Sequence, residues 1–147
     1  MEDNRAEVEG WLVREGGAIP GTAAFEVELV LGELWEAAAL PTQPRGHLLP
    51  TSEVGGRSIA KRVPLGVVGV ISPWNFPLIL SARAVAPARA LGDAVILKPD
   101  VQTAVSGGVL LARLFELAGL PAGVLHVLPG DAEPGPAVRR PPTRTWR

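Results

Sequence analysis

The stretch from Val63 to Asp100 reads VPLGVVGVISPWNFPLILSARAVAPARALGDAVILKPD. Two short apolar runs within it, Val67 to Ser72 and Ala94 to Lys98, lack the alternation of a half-exposed strand. Continuous runs of this length predict strands covered on both faces of a parallel sheet. Between them, Leu78 to Leu91 predicts a crossover helix, kinked at Pro87, whose ring removes a backbone donor. A crossover of this kind is right-handed, and it sets Asn75 beyond the end of the first strand and Lys98 at the end of the second. Ligands of open α/β folds bind along that carboxyl edge. A carboxamide there suits a developing oxyanion, and an ammonium suits hydroxyl or phosphate oxygens.

Downstream, Thr103 to Ala118 carries Val105, Val109, Leu110, Leu114 and Leu117 at helical spacing. The glycines and proline of residues 119–123 then turn the chain into a third short strand, Val124 to Leu128. The resulting order, β-α-β-α-β, predicts an α/β fold, a partial doubly wound parallel sheet. Upstream lie two predicted helices. The first is capped by Asn4, runs to about Glu15 with Val8, Trp11 and Leu12 on one face, and ends at Gly16-Gly17. The second spans Thr22 to Ala39, with Phe25, Leu29 and Trp35 as its apolar positions and Gly32 weakening it by roughly 1 kcal/mol. Leu40-Pro41 stops it. Residues 41–56 read as loop, and Arg57 to Val63 alternates as an exposed or edge strand of a separate hairpin.

At 147 residues and 47% hydrophobic content, the chain has the material for one core. The formal net charge of −1 hides an asymmetry: Val138 to Arg147 carries four arginines and no acid, leaving ten basic against fifteen acidic residues before it. An acidic body does not point to nucleic acid as a partner. With no cysteine there is no disulfide, thiolate zinc site or cysteine nucleophile, and His47 and His126 lack metal-ligand spacing, so no metal is expected. No apolar run approaches the ~20 residues of a membrane span, and the acidic start, Met1-Glu2-Asp3, is unlike a signal peptide. These features are compatible with the cytoplasm. The usual phosphate fingerprints, G-x-G-x-x-G and the P-loop lysine motif, are absent, as is the G-x-S-x-G of serine hydrolases.

The turn Pro73-Trp-Asn-Phe-Pro between a buried strand and a helix, and the Lys98-Pro99 step closing the next strand, resemble the cofactor domain of NAD(P)-dependent aldehyde dehydrogenases. The resemblance runs from about Glu7 to Gly135 and includes Leu-Pro-Gly at residues 128–130 and Trp11-Leu-Val-Arg-Glu. The segments ALPTQP, ISPWNFPLILS, KPDVQTAVSG and GVLHVLPG are most similar to benzaldehyde and vanillin dehydrogenases. It implies NAD(P)-dependent oxidation of an aldehyde, aromatic by subfamily, to its acid, with NAD or NADP as cofactor and a homo-oligomeric parent.

Residue by residue, the resemblance makes Asn75 the donor to the aldehyde oxygen as it becomes anionic; the alternative is an Asx turn between two prolines. It places Lys98 on the adenosine ribose or its 2′-phosphate, against the alternative of a solvated strand-end lysine. Trp74 lines the pocket or packs in the core, and Ile71 and Ser72 wall the cofactor or simply pack. Three residues past Lys98, where many NAD-preferring relatives carry a glutamate, stands Val101, which implies tolerance of NADP as well as NAD. Gly130 is read as a turn residue first.

The same resemblance implies absences. The family's Phe-Thr-Gly-Ser segment, its glutamate base in a Glu-Leu-Gly-Gly run and its cysteine nucleophile have no counterpart here. Residues 1–135 therefore read as an internal piece of the cofactor domain, inactive alone, with 41–64 as a loop and a candidate oligomerisation strand. Residues 136–147 read as a disordered arginine-rich tail, for which an out-of-frame reading is the simplest explanation. A second reading, a non-catalytic nucleotide-binding or interaction fragment, fits the isolated chain. Arg89 stands where the family is usually apolar, and burying it unpaired would cost several kcal/mol. Asp93 is suited to turn contacts, and the outer strands are left with open edges.

Overall fold

The structure is a computed structural model, and it describes residues 1–131. Helix α1 (Arg5–Gly16) follows Asn4, whose side chain makes no capping bond. It ends at Gly17, which takes the left-handed φ of +67° and returns its amide to the Leu12 carbonyl. Pro20 opens helix α2 (Pro20–Ala39), where a missing N–H costs nothing. Val8 and Leu12 of α1 are buried against it, as predicted, with Trp11 packed at the margin.

The buried stripe of α2 is Ala23, Glu26, Val27, Val30 and Ala37. The predicted apolar positions are on the other side, with Phe25 56%, Leu29 40% and Trp35 72% exposed. Small and β-branched side chains let α2 lie close to the crossover helix, whereas the bulkiest residues stay outside. Side-chain size misled the reading of this face.

Residues 41–56 are not all loop. Strand β1 (Gly46–Leu49) pairs antiparallel with β2 (Ser58–Lys61), Gly46 opposite Lys61 and Leu49 opposite Ser58. The separate hairpin is therefore present, but its partner strand left no mark in the apolar pattern because all four β1 residues are exposed. Backbone pairing alone defines it. Gly46 is required there, since a Cβ would lie 2.6 Å from the Ala60 carbonyl oxygen.

Three parallel strands form the main sheet: β3 (Val67–Ile71), β4 (Ala94–Lys98) and β5 (Leu125–Val127), in the order β3-β4-β5. Register pairs Ile71 with Lys98 and Leu97 with Val127. Central β4 is the covered strand, with Val95 and Leu97 fully buried. Its neighbour β3 departs from expectation: only Val70 is buried, and Val67 and Ile71 are more than half exposed. Being a sheet edge with one covered face, β3 keeps the sequence of a buried strand without the burial. At the amino ends of β3 and β4, Asp93 accepts the Gly66 amide at 2.7 Å, and Gly66 takes a φ of +101°.

Helix α3 (Pro77–Ala90) makes the first crossover and includes Pro87. It carries Leu78, Ala82 and Val85 into the core shared with Val27, Val30, Leu97 and Leu110. Arg89 is half-buried and donates from Nη1 to the Asp93 carbonyl, while its Nε has no partner among the described residues.

The second crossover differs from the uniform helix predicted over 103–118. A 3₁₀ turn (Val101–Thr103) leads to a π turn (Val105–Val109), and only Leu110–Leu117 is regular helix α4. The extra residue per turn rotates the face, so Leu110 and Leu111 are buried while Val109 and Leu117 are exposed. Close packing accompanies it: Ser81 Oγ donates to the Gly107 carbonyl at 2.6 Å. A Cβ on Gly108 would lie 2.7 Å from Pro99 Cγ and 2.9 Å from Val127 Cγ1. Gly108→Ala is expected to cost ~1–3 kcal/mol, because the proline ring cannot swing aside. Urea unfolding checks it, and an unchanged midpoint would show that the turn relaxes freely.

No helix among the described residues is long and apolar enough to cross a membrane. The arginine-rich tail lies outside the described residues.

Candidate functional site

Parallel pairing brings the carboxyl ends of β3 and β4 level, and the Ser72 amide extends the ladder to the Lys98 carbonyl at 3.0 Å. Pro73, Trp74, Asn75 and Phe76 then bridge from the sheet to Pro77, the first residue of α3. Asn75 is exposed and its amide makes no hydrogen bond among the described residues, so the Asx turn does not form. Trp74 is 55% exposed, which removes the core-packing alternative for it.

Lys98 is 9% exposed and not the solvated lysine of the alternative reading. Its Nζ has one acceptor, the Pro99 carbonyl at 3.3 Å, and no acid partner among the described residues. Ser72 is buried and its Oγ has no partner among the described residues. Ile71, opposite Lys98, is 52% exposed. A hydroxyl and an ammonium with unused hydrogen-bonding capacity thus sit on neighbouring strand ends, and a ligand rich in hydroxyl and phosphate oxygens fits them. Val101 follows at 55% exposure. A cleft of about 650 Å³ lies elsewhere, at the amino edge of the sheet, lined by Arg45, His47, Arg62, Pro64 and Asp93. Its walls depend on the exposed hairpin, and it contains none of the strand-end groups.

Two carboxylates unrecognised in the sequence hold the amino ends of the crossover helices. Glu26 of α2, 2% exposed, accepts the Leu78 and Ile79 amides at 2.8 and 3.0 Å through Oε1. Glu15 of α1 accepts the Val105 and Ser106 amides at 2.9 and 2.6 Å, and the Ser106 hydroxyl at 2.6 Å. Amides at helix starts attract anions, and here side-chain carboxylates already fill them. The one signal for Glu26 was an acid inside the Ala23, Val27, Val30 stripe.

The aldehyde dehydrogenase family model matches residues 1–143. The chain belongs to the aldehyde dehydrogenase family. It is 61% identical over 137 residues to a vanillin dehydrogenase of Amycolatopsis sp., covering 93% of this chain and 28% of that protein. A benzaldehyde dehydrogenase [NAD(+)] of Pseudomonas putida is 52% identical over 135 residues, 92% of this chain and 28% of that one. Among solved structures, a NAD-dependent benzaldehyde dehydrogenase from Corynebacterium glutamicum superimposes with a TM-score of 0.87 at 45% identity, covering 90% of this chain and 29% of that chain. The chain thus spans less than a third of the length of these relatives. The fold similarity places the family's parallel-sheet architecture under the strand ends described above.

In this family member the Glu26 carboxyl is pushed above its ordinary value, first by burial, with the Ile79 and Leu78 amides pulling the other way. The folded chain then holds this proton more tightly than the unfolded chain. Glu26 therefore contributes most below the unfolded value of about 4.5, and its contribution falls as pH rises through the folded value. Glu26→Gln is expected to gain stability relative to the parent as pH is raised from 4 to 7. Chemical denaturation of both across that range checks the sign, and a difference that shrinks with pH would contradict it.

Proposed function

We propose that this chain forms the cofactor-side part of an aldehyde dehydrogenase that oxidises an aromatic aldehyde to its acid with NAD or NADP, residues 1–135 being a partial cofactor domain. The observation that carries it is the level pairing of Ile71 with Lys98, which puts the Asn75 turn and the Lys98 amine beyond neighbouring parallel strand ends. Asn75 Nδ2 would donate to the aldehyde oxygen as negative charge develops, a task for which its unengaged amide is free. Lys98 Nζ would hold ribose hydroxyls or a 2′-phosphate, and Ser72, Ile71 and Trp74 would flank the cofactor at the same strand ends. Bound nicotinamide supplies the hydride acceptor. The chain has no cysteine, so the thiolate of the family reaction is not among its residues and turnover by this chain alone is not expected.

The relatives' names support an aromatic aldehyde, and Val101 in place of an acid supports acceptance of either cofactor. Lys98→Ala is expected to weaken NAD binding about tenfold, the scale of one hydrogen bond to a charged group. Titration calorimetry of the purified chain measures it. Equal affinity in the variant would remove Lys98 from the site, and binding of NAD without NADP would remove the dual specificity. Cytoplasmic, homo-oligomeric status for the complete protein rests on the family, with Leu48 and Ile59, 73% and 66% exposed, as apolar surface for assembly. A monomer by light scattering of the complete protein would refute the oligomer.

A further inference from the structure

The bridge that carries Asn75 has two anchors. On the sheet side it is tied by the Ser72 amide to the Lys98 carbonyl. On the helix side Phe76 is the N-cap and offers no side-chain bond, and Pro77 has no N–H. The donors left at the start of α3 are the Leu78 and Ile79 amides, and both go to one oxygen of Glu26, a residue 52 positions earlier than Leu78. No other side chain among the described residues bonds the backbone from Pro73 to Ile79. Prolines at 73 and 77 fix their own φ at both ends of the Trp74-Asn75-Phe76 bridge, so only three residues with free backbone dihedrals separate the two anchors.

We propose that Glu26 is a positioning residue for Asn75: its buried carboxylate clamps the first turn of α3 and so fixes where the Asn75 amide projects at the carboxyl edge of the sheet. This rests on the oxyanion role proposed for Asn75. Burying an acid on the core stripe of α2 is costly, and Val or Ala at this place would pack without that cost. Satisfying two otherwise orphaned amides beneath the turn is the gain that offsets it.

The test uses the full 147-residue chain and three forms: parent, Glu26→Met, which keeps length and bulk but accepts nothing comparable, and Glu26→Gln, which keeps an oxygen. Amide exchange is followed at Leu78 and Ile79 and, as a control for the core, at Val95 and Leu97. The Asn75 side-chain amide resonances report its placement. The expected result is at least tenfold faster exchange at Leu78 and Ile79 in Glu26→Met, unchanged exchange in β4, and Asn75 resonances that shift or broaden; Glu26→Gln restores all three. Unmoved Asn75 resonances alongside lost Leu78 and Ile79 protection would overturn the proposal and leave Glu26 a helix cap alone. Should the methionine form not fold, the glutamine form decides, since parent-like Asn75 resonances support the clamp and altered ones with parent-like Leu78 and Ile79 exchange refute it. None of these readouts needs turnover, so failure of the oxyanion role would show separately, in the kinetics of Asn75→Ala.

Discussion

Asn75→Ala, made in a complete family enzyme carrying residues 1–131 of this chain in place of its own, is expected to lower kcat by ~10²–10³-fold. The exposed, unengaged amide of Asn75 has no structural duty to lose, so the change should leave folding intact. Cofactor affinity should also hold, because the proposed cofactor contacts, Lys98 and Ser72, stand at the paired strand ends and not on the Asn75 turn. An oxyanion donor acts mainly where charge develops, so kcat and kcat/KM should fall together while aldehyde KM changes little. Steady-state kinetics with benzaldehyde and NAD would decide it. A loss below threefold would leave the Asn75 turn without a catalytic role.

Leu97→Ala has the largest expected effect on stability. Leu97 is fully buried on the central strand, flanked by Val70 and Val127 in the ladder, and belongs to the core shared by both helical layers. Truncation there leaves a cavity that neighbours on two sides of a strand cannot close, costing ~2–5 kcal/mol. For a chain of this size that is a large share of the total stability. The midpoint of urea unfolding should drop accordingly, and a change under 1 kcal/mol would mean that the core collapses around the gap. The comparison with Val67, 59% exposed on the edge strand, is informative: Val67→Ala should be nearly silent in this chain.

Some of this was legible in the residues because local chemistry and tertiary outcome agree. The strand-turn-helix-strand order, the glycine stop of α1 and the strand within residues 57–63 follow from short-range patterns and were found where expected, whereas β1 and the contact of Asp93 with Gly66, 27 residues away, were not readable locally. The turn at residues 73–77 and the Lys98-Pro99 step, two short segments, were enough to point to the family. Other features depend on who the neighbours are. Ala23, Val27 and Val30 stand at i, i+4 and i+7, but the bulkier Phe25, Leu29 and Trp35 drew the reading, and the approach of α3 selects the smaller stripe. The apolar runs of β3 and β4 read alike, yet position in the sheet buries one and exposes the other. The π turn at residues 105–109 has no local periodicity of its own; it fits where Gly107 and Gly108 press against Pro77, Pro99 and Val127.

By itself the sequence determined the alternation of strands and crossovers from Val67 to Val127 and their parallel connection, because both follow from dihedral preference and apolar spacing within a dozen residues. Only the tertiary structure decided that Glu26 and Glu15 turn inward to close the helix starts, since a carboxylate's partner there lies 52 or 90 residues away and no local pattern encodes that distance.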